Sequence, residues 1–476
     1  MRFAARLLSA VIFISFTFAT LTSCKREPAR SLYDLSIVYE EGKIEGKLVY
    51  KFVNSYDSTF NHILFNLHAN AYKEGAIHRP TTQSNEVRAY PDGISYGKID
   101  ILGVRADNKT AEWTLLGEDC EFLKVTFDRL KKGDSISIEI DFHVDLPNSA
   151  LRLGENQNGV NLADFFPVAC KIKGGDFMQI SYAPVGDPFF ADLHDYEVDI
   201  TVPSEYTVAS SGYPTLTAVD GVSTTYSYEL KNGRDFAFLL SKNYRVQSVT
   251  ADGTVLTYYG FGDDGKEMLE LMTDCVDFFS KSFGKYQYKS LSLAECQLAL
   301  GGMEYTGLCF INCSLQKEDK ITVAVHEIAH SWWHSMIGND QSLSGYLDEG
   351  LCEYSTYLYV KNRIDKSLAN DMINSTKLSY KSFFTIEETL SGDVNTAMER
   401  ELDSFKSEYE YSSVAYSKSL IMFYEYGIAI GEDKAVKNLA DFYKKNLFGV
   451  ADLNSLISAL GYGEHFRSFV EGKVLI

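Results

Sequence analysis

The sequence predicts an α+β protein with two main domains, in which an antiparallel β domain precedes a mainly helical domain. From about Leu32 to Arg245, apolar and polar residues alternate with a period of two, as in K-L-V-Y-K-F-V and S-I-S-I-E-I-D-F, which is typical of strands with one buried face. After Tyr259 the apolar residues recur at helical spacing, and this pattern dominates the rest of the chain. With 476 residues, 45% of them hydrophobic, the chain is long enough for two or three domains with sizeable cores.

The first residues resemble the signal of a bacterial lipoprotein. Arg2 and Arg6 precede a short apolar stretch, residues 7–18, and the segment L-T-S-C ends at Cys24, like the cleavage box in which the cysteine becomes the lipidated first residue. We therefore expect a signal peptide over residues 1–23 and lipidation of Cys24. The protein is then exported and anchored to a bacterial membrane, on its periplasmic face or at the cell surface. An ordinary signal peptide with an incidental cysteine is the alternative.

The predicted domains succeed one another without a flexible linker. A tether over residues 24–32 leads into the β domain, residues 33–250, and the helical domain covers residues 251–440. Residues 441–476 are predicted to form a short C-terminal helical extension. Because no low-complexity segment or internal repeat separates these parts, we expect the domains to pack together.

Composition and charge exclude several classes of protein. The formal net charge is −20, and removal of the signal would change it to −22, so the protein repels nucleic acid and no nucleic-acid partner is expected. No run of 18 or more apolar residues comes after the signal, which predicts a body tethered by acyl chains rather than a membrane-spanning protein. The remaining cysteines form an odd and scattered set that argues against a disulfide framework: Cys120, Cys170, Cys275, Cys296, Cys309, Cys313 and Cys352.

The most specific motif is H-E-I-A-H at His326 to His330, followed after 18 residues by Glu349 in L-D-E-G. On a helix, residues four apart lie about 40° apart around the axis, so the two imidazoles can bind one ion. Two His and one Glu are a ligand set of catalytic zinc, which keeps a further position open for water. The motif therefore predicts one zinc ion held by His326, His330 and Glu349. Asp319 is predicted to cap the start of this helix, and Gly338 to end it.

The remaining acidic and histidine side chains of the motif receive other roles. Zinc lowers the pKa of a bound water to roughly 7, so Glu327 can act as the general base and then protonate the leaving amine. Asp348 and Glu353 are rivals of Glu349 for the third ligand position, although Glu353 can instead accept a hydrogen bond from a ligating imidazole. His334 continues the row of residues four apart, but it has drifted too far around the helix axis to ligate and is expected to flank the site.

Four segments carry a family resemblance: H-E-I-A-H-S-W-W, Gly338 to Asp340, L-D-E-G-L-C-E-Y and, upstream, G-G-M-E-Y at Gly301 to Tyr305. The chain is similar in these segments to the zinc aminopeptidases related to aminopeptidase N and leukotriene hydrolase, which are gluzincins with a thermolysin-like catalytic domain. The resemblance implies an N-terminal β domain and then that catalytic domain, the order that the two sequence patterns also indicate. Many of these relatives carry a large C-terminal helical domain over the cleft, whereas this sequence ends at Ile476, so we expect a more open cleft or one capped by a partner.

The upstream segment carries the expected substrate-binding residues. In this family a Gly-x-Met-Glu-Asn segment lines the cleft on an edge strand, and its Glu binds the free α-ammonium of the peptide. Gly302, Met303 and Glu304 match this segment together with the preceding Gly301, while Tyr305 replaces the usual Asn. A carboxylate near zinc can pair with a substrate cation and so measure one residue from the chain end. The family usually adds a second polar group from the N-terminal domain, which the sequence does not identify.

A tyrosine is the expected oxyanion donor. The family uses a tyrosine in a Tyr-x-Lys-Gly context, and Tyr416 with Lys418 matches this context, with Ser419 in place of Gly. A phenol hydroxyl suits the role because it donates a hydrogen bond where negative charge develops. Tyr411 is a weaker neighbouring candidate.

The motif and the resemblance together predict a zinc-dependent aminopeptidase. It would remove N-terminal residues from peptides outside the cytoplasm by Glu-assisted attack of a zinc-bound water, and its partners would be peptides with a free N-terminus and the membrane. One alternative is a thermolysin-like endopeptidase, which needs the ligands and Glu327 but no amine anchor. Another is a non-catalytic binding lipoprotein that keeps the fold.

Overall fold

The computed structural model describes residues 30–392 and 394–473. The predicted signal peptide, Cys24 and most of the predicted tether lie outside these residues. Within them, no helix is both long enough and apolar enough to cross a membrane. All seven cysteines in the described part of the chain are free thiols.

The N-terminal part of the chain is built almost entirely of strands. In chain order these are β1 (Leu32–Glu40), β2 (Lys43–Val53), β3 (Phe60–Asn66), β4 (Lys98–Ala106), β5 (Lys109–Thr110), β6 (Glu112–Leu116), β7 (Phe122–Leu130), β8 (Ser135–Asp145), β9 (Leu153–Asn156), β10 (Gly159–Leu162), β11 (Val168–Ala169), β12 (Ile172–Lys173), β13 (Asp176–Phe177), β14 (His194–Pro203), β15 (Thr207–Ser210), β16 (Tyr213–Asp220), β17 (Ser223–Gly233) and β18 (Phe238–Ser241). Helical structure here is limited to α1 (Glu86–Ala89) and two 3₁₀ turns, His68–Tyr72 and Gln83–Asn85, among the described residues.

These strands form four sheets. The largest has eight strands in the order β16-β17-β14-β1-β2-β8-β4-β5, and two sheets have four strands each, β15-β18-β10-β9 and β11-β3-β7-β6. Strands β12 and β13 form a two-stranded ribbon. Every pairing in these sheets is antiparallel except that of β1 with β14. The prediction of an N-terminal antiparallel β domain is therefore confirmed.

The alternating pattern seen in the sequence corresponds to one buried face. In β8, every second residue from Ile136 to Val144 is buried, and the residues between them are half-buried. Tyr33, Tyr50, Tyr196 and His194 stack or meet edge to face in the core between the sheets. Burial of such aromatic side chains, each removing a large apolar area from water, is the main source of stability in this part of the molecule.

A fifth sheet, with five strands, begins before the predicted domain boundary. Its strands are β19 (Arg245–Ala251), β20 (Thr254–Gly260), β21 (Ser290–Cys296), β22 (Gly302–Tyr305) and β23 (Leu308–Asn312), in the order β19-β20-β21-β23-β22. Because β19 pairs along its whole length with β20, the change of sheet falls between residues 241 and 245 rather than at 250. The alternation of apolar and polar residues in a strand does not show which sheet that strand joins.

Helices make up most of the chain after the five-stranded sheet begins. They are α2 (Gly265–Ser282), α3 (Lys317–His330), α4 (Gln341–Ser344), α5 (Tyr346–Tyr359), α6 (Lys366–Ser391), α7 (Glu408–Tyr411), α8 (Ser419–Ile430), α9 (Glu432–Asn446), α10 (Leu453–Leu460) and α11 (Gly463–Val470), with a 3₁₀ turn at Leu402–Ser404. Three π-helical segments extend or precede them: Ser331–Met336, Val360–Ile364 and Ser412–Lys418. The predicted boundary at 440/441 cuts through α9, which is continuous, while the short helices α10 and α11 correspond to the predicted extension.

Helix α3 differs from its prediction at both ends. It begins at Lys317, so Asp319 lies in the first turn rather than at the cap, where its charge still suits the positive end of the helix dipole. At its other end the helix continues as the π-helical segment, which ends before Ile337. Such wide turns are frequent at functional sites.

Arg234, in the N-terminal part of the chain, makes hydrogen bonds to the helical part. Its Nε donates to the carbonyl of His334 at 2.8 Å, and its Nη2 donates to the carbonyl of Gly449 at 2.6 Å. A Cβ on Gly338 would lie 2.4 Å from Cζ of Arg234, so the guanidinium packs directly on that backbone. The end of the helix that carries the motif is thus supported by a side chain from the β domain.

Candidate metal centre and active site

Helices α3 and α5 bring the three predicted metal ligands together. The Nε2 atoms of His326 and His330 lie 3.1 Å apart, and Glu349 Oε2 lies 3.1 Å from the first and 3.3 Å from the second. All three side chains are buried. Two imidazole nitrogens that face each other and one carboxylate oxygen supply too few hydrogens to satisfy every contact, whereas each atom can donate a lone pair to a cation. The donor set and its convergence therefore fit a zinc ion.

Glu353 is placed where the alternative hypothesis put it. Its Oε1 lies 3.1 Å from Nδ1 of His326, on the ring nitrogen that does not face Glu349. The carboxylate faces Nδ1 at ion-pair distance without completing a hydrogen bond, and Nε2 remains as the ligand atom. Cys352, also on α5, lies beside His330, and burial raises the pKa of its thiol although His330 opposes the shift. No pattern in the sequence singles out Cys352.

The other rivals do not join the ligand cluster. The carboxylate of Asp348 accepts hydrogen bonds from Asn339 Nδ2 at 3.0 Å and from Gln341 Nε2 at 2.8 Å. His334 Nε2 lies 2.9 Å from Asp235 Oδ2, so His334 flanks the site as expected. Neither Asp348 nor His334 belongs to the cluster of atoms that contains both motif histidines.

Glu327 lies between the ligands and the upstream segment. Burial raises the pKa of its carboxyl, and the two motif histidines oppose this shift. Its Oε2 is buried and has no hydrogen-bond partner among the described residues. A Cβ on Gly302 would lie 2.5 Å from its Oε1, so the glycine allows the close approach of strand β22 to this side chain. The carboxylate is thus desolvated and uncommitted, as a general base requires.

Strand β22 places Glu304 at the same centre. One oxygen of Glu304, one of Glu327 and a nitrogen of His330 lie within 4.8 Å of one another. Glu304 is buried, and its Oε1 accepts a hydrogen bond from Gln341 Nε2 at 3.1 Å. Gly301, which precedes the strand, accepts a hydrogen bond from Asn312 N at 2.9 Å and so keeps the segment on the edge of the sheet.

Tyr416 reaches the centre from the π-helical segment Ser412–Lys418. Its hydroxyl donates to Glu349 Oε1 at 2.6 Å, and its ring stacks beside His326 with the centroids 6.0 Å apart. Tyr411 packs edge to face against Tyr416 at 6.0 Å and has no contact with the three ligands among those described. The side chain of Lys418 does not enter the site, because its Nζ donates to the carbonyls of Thr396 and Phe469.

The N-terminal domain contributes a buried ion pair that the sequence did not reveal. Arg152 pairs with Asp187, and its Nε and Nη1 donate to Met303 Sδ at 3.2 Å and Tyr182 Oη at 3.1 Å. Burial raises the pKa of Asp187 to about 7; Arg152 opposes this shift and the charge of Glu304 adds to it. Asp187 is therefore an acidic group of the N-terminal domain that lies near the upstream segment. No local pattern distinguishes it from other aspartates in loops.

A cavity of about 340 Å³ lies between the domains and leads to this centre. Tyr182 and Asp187 line it from the N-terminal side, and Leu300 and Tyr416 line it from the helical side. Tyr305, the departure from the family segment, points away from it and donates to Asp164 Oδ2 at 3.4 Å. The cavity thus lies between two domains and borders the ligand cluster through Tyr416, whose hydroxyl is bound to Glu349.

The fold and the site together are typical of one class of protein. A helical domain that carries His-Glu-x-x-His on one helix, and a glutamate ligand on a later helix, has the architecture of the gluzincin metallopeptidases. Residues 267–471 match the model of the peptidase family M1 domain. This part of the chain is similar to the peptidase family M1 domain, in agreement with the motifs of the site.

Individual relatives agree with this assignment. The chain is 25% identical over 300 residues to aminopeptidase M1-B of Oryza sativa, a match that covers 56% of this chain and 32% of that protein. It is 22% identical over 244 residues to aminopeptidase 2 of Candida albicans, covering 48% of this chain and 25% of that one. The chain thus spans about a third or less of the length of these curated relatives.

One solved structure resembles the whole molecule. The M1 zinc metallopeptidase from Deinococcus radiodurans superposes with a TM-score of 0.67 at 14% identity, covering 94% of this chain and 95% of that one. At this identity the likeness concerns the fold. It confirms the predicted succession of a β domain and a mainly helical, thermolysin-like domain.

Proposed function

We propose that the protein is a zinc aminopeptidase that hydrolyses the first peptide bond of peptides with a free N-terminus. The observation that carries this proposal is the position of Glu304, whose carboxylate lies within 4.8 Å of ligand atoms of Glu327 and His330. A cation bound by Glu304 is therefore held one residue's length or less from the metal ligands. The names of similar proteins support the same interpretation, since they describe aminopeptidases and a zinc metallopeptidase.

His326, His330 and Glu349 would hold the zinc ion, with Glu353 orienting the first ring. When bound, zinc supplies Lewis acidity that polarises a carbonyl oxygen and lowers the pKa of water. Glu327 takes the proton of the attacking water, since its Oε2 is desolvated and uncommitted, and then delivers that proton to the leaving amine.

Tyr416 and Glu304 complete the proposed chemistry. Tyr416 donates its hydroxyl hydrogen to the substrate oxygen that becomes negative, for which it exchanges its present bond to Glu349. Glu304 pairs with the α-ammonium and thereby selects the end of the chain. Asp187, which is paired with Arg152, places a second acidic group on the N-terminal side of the cleft.

The test compares a free-amine aminoacyl anilide with its N-acetylated form. We expect the acetylated compound to lose most of kcat/KM, because it presents no charge to Glu304. Equal hydrolysis of both compounds would instead identify an endopeptidase, and absence of turnover of either, with zinc bound, would identify a binding protein.

We also propose that the protein is exported and anchored by acyl chains on Cys24, as supported by the segment L-T-S-C after the short apolar stretch. The test is labelling of cells with radioactive palmitate and then separation of membranes. Cys24→Ser should lose both the label and the membrane association. The matched control Cys120→Ser, which changes a half-buried free thiol, should keep both.

A further inference from the structure

One side-chain amide joins the proposed amine anchor to the helix that bears the third metal ligand. Gln341 Nε2 donates to Glu304 Oε1 at 3.1 Å and to Asp348 Oδ2 at 2.8 Å. Asp348 directly precedes Glu349 on α5, and all these side chains are buried. A single nitrogen atom on α4 therefore hydrogen-bonds both to strand β22 and to the first turn of α5, which carries Glu349.

The bond to Oε1 matters because an anchor has to present its acceptor in a fixed direction. A carboxylate that rotates freely about its terminal bond offers two equivalent oxygens in changing directions. When an amide hydrogen is bound to Oε1 of Glu304, the plane of the carboxylate is fixed and Oε2 remains for the ammonium of a substrate. A carboxylate fixed in this way holds the bound substrate at a productive distance between its reacting bond and the catalytic groups.

The amide also keeps two buried carboxylates close together. Glu304 and Asp348 both belong to a cluster whose ligand atoms lie within 4.8 Å of one another, so their charges repel. The two hydrogens of Gln341 Nε2 lie between them and reduce this repulsion. Without the amide, we expect the carboxylate of Glu304 to rotate away from Asp348. It would then no longer point toward the substrate ammonium.

We propose that Gln341 is a positioning residue that orients Glu304 for the substrate ammonium and sets its distance from the third metal ligand. This inference rests on the aminopeptidase function proposed above. Gln341 makes no contact with the metal ligands themselves among the described residues, so it acts through Glu304 and Asp348.

A second metal ion is the competing explanation for this cluster, which contains His334 together with Glu304 and Asp348. The hydrogen bonds argue against it. The amide nitrogen of Gln341 already turns its hydrogens toward both carboxylates, and a cation in the same place would face those hydrogens. His334 in turn is bound through Nε2 to Asp235. The zinc content of the protein decides between the two explanations.

The experiment uses Gln341→Met, which keeps the length of the side chain and removes the amide. For a free-amine aminoacyl anilide, we expect KM to rise about 10- to 100-fold, as for a lost hydrogen bond to a charged group, with kcat changed by less than about threefold. Zinc content should stay at one ion per chain. Should this variant fail to fold, Gln341→Asn retains the amide but shortens its reach, and a smaller rise in KM is expected.

Asn339→Leu is the matched control. Asn339 Nδ2 donates to Asp348 Oδ1 at 3.0 Å and to the carbonyl of Ser344 at 3.1 Å, but it makes no hydrogen bond to Glu304. If Gln341 acted only by stabilising Asp348 and its helix, the two variants would raise KM alike. We expect Asn339→Leu to lower the midpoint of thermal unfolding and to leave KM within about threefold of the wild type.

A double-mutant cycle tests whether Gln341 acts through the anchor. In the background Glu304→Ala, the further change Gln341→Met should alter KM by less than about twofold, because no anchor remains to be oriented. Multiplicative effects of the two changes would overturn the inference. Loss of a second zinc equivalent in Gln341→Met would also overturn it, in favour of a second metal site.

The outcomes separate this inference from the proposed function. If the wild type hydrolyses free-amine and N-acetylated substrates equally, the aminopeptidase function fails, whatever the variants do. If the wild type discriminates between them and Gln341→Met keeps the wild-type KM, only the role of Gln341 fails.

Discussion

The hydroxyl of Tyr416 donates to Glu349 Oε1 at 2.6 Å, so the proposed oxyanion donor is bound to the proposed third metal ligand. The other oxygen of Glu349 faces the two histidines. The tyrosine is therefore already within one hydrogen-bond length of the ligand cluster. Tyr416 also lines the adjoining cavity.

Replacement of this tyrosine by phenylalanine should separate catalysis from metal binding. We expect Tyr416→Phe to reduce kcat by about 10²- to 10³-fold, as for removal of one oxyanion donor, while zinc content stays unchanged because the ligands remain. Tyr411→Phe is the control, since its ring packs on Tyr416 without touching the ligands. Steady-state kinetics and metal analysis measure both effects, and an equal loss in the two variants would assign Tyr416 a packing role.

Gly302→Ala should disturb the general base without removing any functional group. The added Cβ would lie 2.5 Å from Oε1 and 2.7 Å from Cγ of Glu327, which is too close for any side chain to remain in place. We expect kcat/KM to fall at least about tenfold. Gly301→Ala should have a much smaller effect, because its Cβ would meet only Val323, at 3.4 Å and beyond. Similar kinetics for Gly302→Ala and the wild type would show that β22 can move away from α3.

Glu327→Gln should bind zinc and lose turnover. The change keeps the shape of the side chain but removes both the base and the later proton donor, so we expect kcat to fall by about 10²- to 10⁴-fold or more. Zinc content and the thermal midpoint should remain near those of the wild type, because Glu327 is not in the ligand set. Retention of activity by this variant would refute the proposed mechanism.

The stability of the β domain should depend on pH through His194. Burial lowers the pKa of His194 to about 4, an effect that Asp192 opposes. Because the unfolded state has the ordinary higher pKa, it binds more protons than the native state between about pH 6.5 and 4. Stability contributed by the neutral ring is therefore present above about pH 6.5 and is lost as the pH falls, by up to about 3 kcal/mol at about pH 4.

Urea unfolding at several pH values measures this dependence. His194→Gln removes the titrating ring but keeps an acceptor for Tyr50, whose hydroxyl lies 3.0 Å from Nε2 of His194. In this variant the free energy of unfolding should change less steeply with pH. The difference should be roughly 1.4 kcal/mol per pH unit, which corresponds to one proton. His68, whose pKa burial lowers to about 3, contributes in the same direction and is unchanged in the variant. An unaltered slope in His194→Gln would show that His194 does not titrate in this way.

The sequence predicted the parts of the site that lie on one element or match a known segment. His326, Glu327 and His330 share a helix, so their spacing alone determines that they face one centre. Glu349 was predicted from its spacing after the motif and Glu304 through the resemblance, and the structure brings both to that centre. The succession of a β domain and a helical domain was predicted from the two periodicities.

The features that the sequence did not predict depend on contacts between distant elements. Gln341 and Asp187 look like ordinary polar residues, and their importance arises only where α4 meets β22 and where the N-terminal domain meets the cleft. The sheet to which β19 belongs was not predicted for a similar reason, since a strand's alternation does not identify its partner. The start of α3 differs because a helix can place an acidic residue in its first turn as well as at its cap.

The hydrogen bonds of Arg234 determine where the chain can be cut into fragments. Its guanidinium supports the carbonyl at the end of the motif helix and also holds the C-terminal segment at Gly449, although the segment that matches the family model begins only at residue 267. Excision of that segment would expose a backbone carbonyl buried in the intact chain and leave the upstream wall of the cleft missing. A fragment that keeps these hydrogen bonds therefore includes residues of both domains, and domain exchange has to carry Arg234 along with helix α3 and the segment at Gly449.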